Sequence, residues 1–178
     1  MQNNSITPNT IQALILDFDN TLFDTSADNN IRKSKKGKDI VWNDVYSLIP
    51  MYQLYDGWID VFSWCKANGV KIAIISTAKT ELIKRTLVHF GIHYDVIVGW
   101  QLFHRKPDPK LVDMALAKIN VAKVNVLSIG DSPVDLQMSL NSGIKFLGAI
   151  WDSDDTDVLK SQCTTISDPK QILSYISK

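Results

Sequence analysis

Cysteine is almost missing from this chain: Cys65 and Cys163 are the only two in 178 residues. They lie far apart and form no C-x-x-C pair, so neither a disulfide framework nor a thiolate metal site organises the fold. Both read as core thiols in a reducing compartment. An excess of either charge is also lacking, because 19 Lys plus Arg balance 19 Asp plus Glu. No global field draws the protein onto nucleic acid or an anionic membrane, and any such partner must be recognised locally. No apolar run approaches the roughly 18 residues of a membrane span, and the first residues lack the basic-then-apolar pattern of a signal peptide. These absences predict a soluble, cytoplasmic protein without a membrane partner. Internal repeats and low-complexity tracts are absent too. His89 and His93 stand four apart, but Gly91 between them looks like a helix terminator, which argues against a shared metal-binding face.

What is present is an alternation. Short runs rich in Ile, Val and Leu recur at 11–16, 70–75, 94–98, 124–129 and 144–150. Most are continuously apolar, as expected for strands covered on both faces of a parallel sheet. Helix-length segments lie between them at 58–68, 79–90, 109–119 and 133–141. Asn68-Gly69 and Phe90-Gly91 read as helix stops, while Asp108-Pro109 and Ser132-Pro133 read as starts. Asp154-Asp155-Thr156-Asp157 and Ser167-Asp168-Pro169 read as two further helix starts. Strands alternating with helices imply right-handed crossovers and an α/β fold: a Rossmann-like three-layer α/β/α sandwich with a mainly parallel central sheet.

The rhythm predicts a core made of residues 11–24 and 56–178, after a polar lead at 1–10. Residues 25–55 break it. They contain a basic stretch, Arg32, Lys33, Lys35, Lys36 and Lys38, followed by an apolar part that suits a short helix and an extended segment laid over the sheet. The basic stretch reads first as a solvated loop, or else as a holder of extra substrate phosphates. Trp42 and Tyr52 either pack this insertion onto the core or stack on a base or sugar.

Polar residues gather where the apolar runs stop. The first run ends in Asp17-Phe18-Asp19-Asn20-Thr21, the second in Ser76-Thr77, and the fourth in Gly130-Asp131-Ser132-Pro133-Val134-Asp135. Lys106 follows the third run and precedes a helix. Any one of these is an ordinary turn or cap. Ligands of open α/β sheets, however, bind beyond the carboxyl ends of the strands, and all four clusters fall on that rim. On a strand, residues two apart point the same way, so Asp17 and Asp19 can face one cavity while Phe18 turns to the core. Two carboxylates so placed repel each other unless a cation or a shared proton intervenes.

These residue types suit phosphoryl transfer. A carboxylate can attack phosphorus and form an aspartyl phosphate, and Asp17 is the candidate nucleophile. Asp19 is the candidate acid for the departing oxygen and base for the later water. Ser76, with Thr77 as fallback, and Lys106 would bind the transferring phosphate. Mg²⁺ favours oxygen ligands, and Asp17 and Asp131 are the candidate carboxylates. Asp135 would support Lys106 or metal-bound water, and Thr21 completes the first cluster.

At this point the chain resembles the haloacid dehalogenase superfamily, specifically its phosphatases. The four motifs of that family appear in order as Asp17-Phe18-Asp19-Asn20-Thr21, Ile74-Ile75-Ser76, Lys106-Pro107-Asp108-Pro109 and Gly130-Asp131-Ser132-Pro133-Val134-Asp135. The resemblance spans nearly all of residues 12–176 and leaves the insertion unmatched. It implies a Rossmann-like core with the first strand central, Mg²⁺ dependence, an aspartyl-phosphate mechanism, and the main-chain carbonyl of Asp19 as a metal ligand. Dehalogenases of the superfamily lack the second aspartate, so carbon–halogen cleavage is disfavoured. Tyr55-Asp56-Gly57-Trp58 resembles the Pro-Gly turn by which many members return from a cap, with Asp in place of Pro. The insertion is much shorter than the usual helical cap.

A short cap predicts an open site that would admit a bulky phosphoester, a phosphoprotein or nucleic-acid end included, unless dimerisation supplies a lid. Monomer and dimer both stay open. A phosphotransferase or phosphomutase is the alternative within enzymes, and a phosphoacceptor or binding domain is the alternative outside them.

Overall fold

The computed structural model describes residues 10–32 and 40–177. Six parallel strands form one sheet: β1 (Ala13–Leu16), β4 (Lys71–Ile75), β5 (Val96–Val98), β6 (Val126–Gly130), β7 (Lys145–Ala149) and β8 (Thr165–Ile166). Their order is β5-β4-β1-β6-β7-β8. The chain leaves β1 for β4 on one side and later returns to β6 on the other. The strand order therefore reverses around β1, and a crevice opens beyond its carboxyl end.

Side-chain alternation makes the three layers. Leu14 and Leu16 join one apolar cluster with Trp58, Val61 and Cys65 of α3 (Trp58–Asn68), and with Leu82 and Leu87 of α4 (Thr80–His89). Ala13 and Ile15 face the opposite cluster, with Leu111, Val112 and Ala115 of α5 (Lys110–Ile119) and Met138 of α6 (Pro133–Ser142). Every β1 residue is thus buried whichever way it points, which explains a run with no polar position. Each such Leu or Ile contributes about 1.5–3 kcal/mol on leaving water. Cys65 is buried in the first cluster, and burial pushes its thiol up to about 12. Cys163 is half-buried and also unbridged.

The helix expected at 58–68 has those limits, and the others shift by one residue or so. Two features depart from expectation. A sixth strand, β8, adds to the sheet edge where the sequence shows no apolar run. Between β1 and α3, two short strands, β2 (Phe23–Asp24) and β3 (Gln53–Leu54), pair antiparallel. Between them, among the described residues, lie a 3-10 turn at Ser26–Asp28, α1 (Asn29–Arg32), α2 (Trp42–Ser47) and a second 3-10 turn at Ile49–Met51. Phe23, Val45, Ile49 and Tyr52 bury this segment onto the first cluster. Lys33, Lys35, Lys36 and Lys38 of the basic stretch lie outside the described residues. The chain later completes α7 (Thr156–Gln162) at its expected start, whereas Asp168-Pro169 opens a 3-10 turn (Pro169–Ile172) that leads into α8 (Leu173–Ile176). Among the described residues, no helix is long and apolar enough to cross a membrane.

Candidate active site

Asp17 is the first residue past β1, and its N–H still donates to the Ile129 carbonyl of β6 at 3.0 Å. The ladder therefore fixes where its carboxylate starts. Phe18 drops fully into the core, as a residue between two outward-turned neighbours should. The chain then turns tightly, with the N–H groups of Leu22 and Phe23 both donating to the Phe18 carbonyl. Asn20 takes the left-handed conformation at φ 58°, which Asn tolerates better than most residues. From α3, the Trp58 indole donates to the Thr21 carbonyl at 2.9 Å and pins the far side of the turn.

Two distant stretches meet Asp17 here. Lys106, on the loop between β5 and α5, donates to Asp17 Oδ1 and, at 2.6 Å, to Asp135 Oδ1. Its side chain is only 5% exposed. Asp131 stands just past β6 and accepts a 2.9 Å hydrogen bond from the Thr21 hydroxyl. Asp135, in the first turn of α6, accepts from the Ser132 hydroxyl, which caps that helix. Gly130 makes this approach feasible, since a Cβ there would lie 2.5 Å from the Asp135 Cβ. Oxygens of Asp17, Asp131 and Asp135 all fall within 4.8 Å of one another. The Asn141 amide donates to the Pro107 carbonyl at 3.0 Å and holds the Lys106 loop against α6.

The electrostatics follow from burial. Burial pushes the Asp17 carboxyl well above its ordinary range and Lys106 pulls it back, while Asp135 and Asp131 push it up further. Burial and the charge of Asp135 lift Asp131 to about 6, against the Thr21 hydrogen bond that favours its ionised form. Burial alone would lower the Lys106 ammonium, but Asp135 and Asp17 outweigh it and hold the group above the usual lysine value. Three carboxylates around one ammonium leave an excess of negative charge. An all-oxygen, partly buried donor set of that kind fits a hard divalent cation.

Asp19 goes elsewhere. Its carboxylate accepts from the Thr25 hydroxyl at 2.6 Å and from the Arg32 guanidinium at 2.6 Å. Arg32 also donates through Nε to the fully buried Asp28 at 2.6 Å, and Asp28 accepts from the Tyr52 hydroxyl. The strand argument thus accounts for Phe18 but not for this carboxylate, which turns toward the segment between β2 and β3. Arg32, which the sequence reading placed within a solvated basic stretch, is instead half-buried between two carboxylates. Their spacing as Asp28 and Arg32, four apart on one helical turn, is the one sequence signal that could have found the pair.

Ser76 is buried just past β4, and its hydroxyl accepts from the Ala78 N–H at 3.0 Å. Thr77 is exposed. Ser76, Thr77 and Lys106 line a hollow of about 140 Å³. A cleft of about 740 Å³ opens beside it, reaching Asp19, Thr77 and Arg32.

Comparison with known proteins fits this arrangement. The model of the haloacid dehalogenase-like hydrolases matches residues 27–149. The chain belongs to that family. A Listeria monocytogenes protein named pyrophosphatase PpaX is 30% identical over 100 residues, which are 54% of this chain and 46% of that one. The chain spans about half the length of the curated relatives it matches. Among solved structures, a haloacid dehalogenase superfamily hydrolase from Ehrlichia chaffeensis superposes with a TM-score of 0.71 at 22% identity, covering 96% of this chain and 98% of that one. CbbY from Rhodobacter sphaeroides, solved in complex with phosphate, gives a TM-score of 0.75 at 16% identity, covering 95% and 100%. At such identities these superpositions show a shared fold. In this haloacid dehalogenase-like chain, all four polar clusters lie on the rim beyond the strands.

Proposed function

We propose that this haloacid dehalogenase-like protein is a Mg²⁺-dependent phosphomonoester hydrolase that works through an aspartyl phosphate on Asp17. The observation that carries the reading is the Lys106 bridge between Asp17 and Asp135, with Asp131 alongside. Asp17, Asp131 and the Asp19 main-chain carbonyl would hold the ion. When bound, Mg²⁺ would supply positive charge to the phosphate oxygens and keep Asp17 ionised at neutral pH.

The protein groups divide the rest. Ser76, Thr77 and Lys106 bind the phosphoryl oxygens and orient phosphorus toward Asp17. An Asp17 oxygen attacks phosphorus, the bond to the ester oxygen breaks, and Asp19, which borders the larger cleft and must first turn from its Arg32 pair and take up a proton, gives that proton to the oxygen. Asp19 then takes a proton from water, which attacks phosphorus and restores the Asp17 carboxylate with release of orthophosphate. Thr21 orients Asp131 and Asp135 orients Lys106.

In this reading residues 11–24 and 56–178 are the catalytic core, and 25–55 are a reduced cap. The chain works in a reducing, cytoplasmic setting, in keeping with its two unbridged cysteines. Phosphate release from an aryl phosphate, with Mg²⁺ and with EDTA, tests the proposal. Activity should need the metal and vanish in Asp17→Asn, and metal-independent release or an active Asp17→Asn enzyme would overturn it.

A further inference from the structure

The larger cleft has a chemistry of its own. At about 740 Å³ it matches sites for ligands of nucleoside size and far exceeds what an orthophosphate or a two-carbon acid would fill. Two indoles line it, Trp42 from the start of α2 and Trp100 from the loop after β5, together with Ile40 and Ala78. Trp100 is 48% exposed, a large aromatic surface left facing the cleft. Its position is tightly set. A Cβ on Gly99 would lie 2.5 Å from the Thr80 hydroxyl, and the Trp100 N–H donates to the Ala78 carbonyl at 2.8 Å. Both contacts lock the Trp100 backbone to the segment that follows Thr77.

The charges of the cleft are unbalanced. Arg32 is neutralised by Asp19 and Asp28. Lys79 and Arg105 form no ion pair with any described residue. Instead Lys79 Nζ lies 4.5 Å from the Trp42 ring centre, and the Arg105 guanidinium carbon lies 5.8 Å from that of Trp100. Each indole therefore carries a cation on its face. A flat ring stacks on such walls, and an anion is drawn to the cations.

We infer that the leaving group of the substrate carries both a planar aromatic ring and a second anionic group, as in a nucleoside 3′,5′-bisphosphate. The inference rests on the phosphatase reading, because it places the transferring phosphate at Asp17 and the remainder of the ester in this cleft. The smaller hollow shares Thr77, Trp100 and Arg105 with the cleft, so one ester can reach both.

Four monoesters separate the contributions: adenosine 3′,5′-bisphosphate with ring and anion, adenosine 5′-monophosphate with the ring alone, phosphoglycolate with the anion alone, and glycerol phosphate with neither. With Mg²⁺, kcat/KM should be highest for the bisphosphate, by about tenfold or more over each of the others. Trp100→Ala should reduce the ratio of ring-bearing to ring-free kcat/KM by about tenfold, with partial rescue in Trp100→Phe, and Arg105→Ala should reduce the ratio of anion-bearing to anion-free kcat/KM. A ratio is unaffected by a general loss of folded enzyme. Equal kcat/KM across the four, or ratios that the variants leave unmoved, would overturn the inference while leaving the phosphatase reading intact. Absence of turnover on all four would count against the phosphatase reading instead. Calorimetric binding of the same esters to Asp17→Asn then reads the cleft directly, and a bisphosphate bound no tighter than glycerol phosphate would end the inference.

Discussion

Gly130 and Asp135 are packed so closely that a single added methyl group on Gly130 would sit 2.5 Å from the Asp135 Cβ. The end of β6 and the first turn of α6 are thus brought together by the absence of a side chain. Asp135 can then accept from Lys106, which in turn reaches Asp17. Gly130→Ala should cost about 1–3 kcal/mol of stability through overpacking. It should also lower kcat by displacing Lys106, even at temperatures where the variant is folded. Urea denaturation and steady-state kinetics on the same preparation check both.

Lys106 carries the electrostatic burden of the site. Replacing it with Met leaves Asp17 and Asp135 without their ammonium partner, and burial then holds Asp17 still further above the ordinary carboxylate range. Since Asp17 must be ionised to attack, the acidic limb of the kcat/KM profile should move to higher pH. The rate at its optimum should fall by roughly a hundredfold or more. A pH–rate profile of Lys106→Met against the parent protein measures both effects.

The acidic cluster makes metal-free stability depend on pH in a defined direction. Asp131 is held at about 6, above its ordinary value, because burial and Asp135 disfavour its charge. Between those two values the folded protein binds a proton that the unfolded chain has released, so this contribution is present at low pH and fades as pH rises through about 6. In EDTA, the melting temperature of the parent protein relative to Asp131→Asn should therefore rise on acidification from about pH 7.5 to about pH 5. Mg²⁺ should raise the parent melting temperature strongly at the higher pH and weakly at the lower one. Differential scanning fluorimetry across that range provides the test.

Arg32 ties the segment between β2 and β3 to the first motif. Its guanidinium bridges Asp19 and the fully buried Asp28, whose other oxygen takes the Tyr52 hydroxyl. Arg32→Ala would leave Asp28 charged, buried and without a cation, a change worth roughly 3–5 kcal/mol. Arg32→Lys should recover only part of that, because an ammonium lacks the planar fork that serves two carboxylates at once. Equilibrium unfolding of the two variants should rank them in that order.

Much of this was legible in the sequence, for physical reasons. β1, β4 and β6 are almost wholly buried, so they read as apolar runs broken only by Lys71 at the start of β4 and Ser128 within β6, and the polar residues that follow them fall on one rim by topology. β8 was not legible, because Thr165–Ile166 is too short to show any pattern and pairs only at the sheet edge. β7, expected at 144–150, spans Lys145–Ala149 and was legible even though Lys145 is exposed and Gly148 lies within it. The Arg32 network was hidden for another reason. Apart from the Asp28–Arg32 spacing, its members Asp19, Thr25 and Tyr52 come from a strand end and the flanks of two 3-10 turns, and no periodicity links them. Trp100 likewise gives no sequence signal, since only the fold brings it beside Thr77.

The central claim is that Asp17 becomes phosphorylated during turnover. Asp19→Asn, which should slow breakdown of the intermediate, can be mixed with an aryl phosphate and Mg²⁺, quenched in acid, and mapped by peptide mass spectrometry. The account predicts one added phosphoryl group on the peptide that contains Asp17, removable by hydroxylamine and absent from Asp17→Asn. Phosphate release by the parent enzyme with the label on another residue, or with Asp17→Asn still turning over, would contradict it.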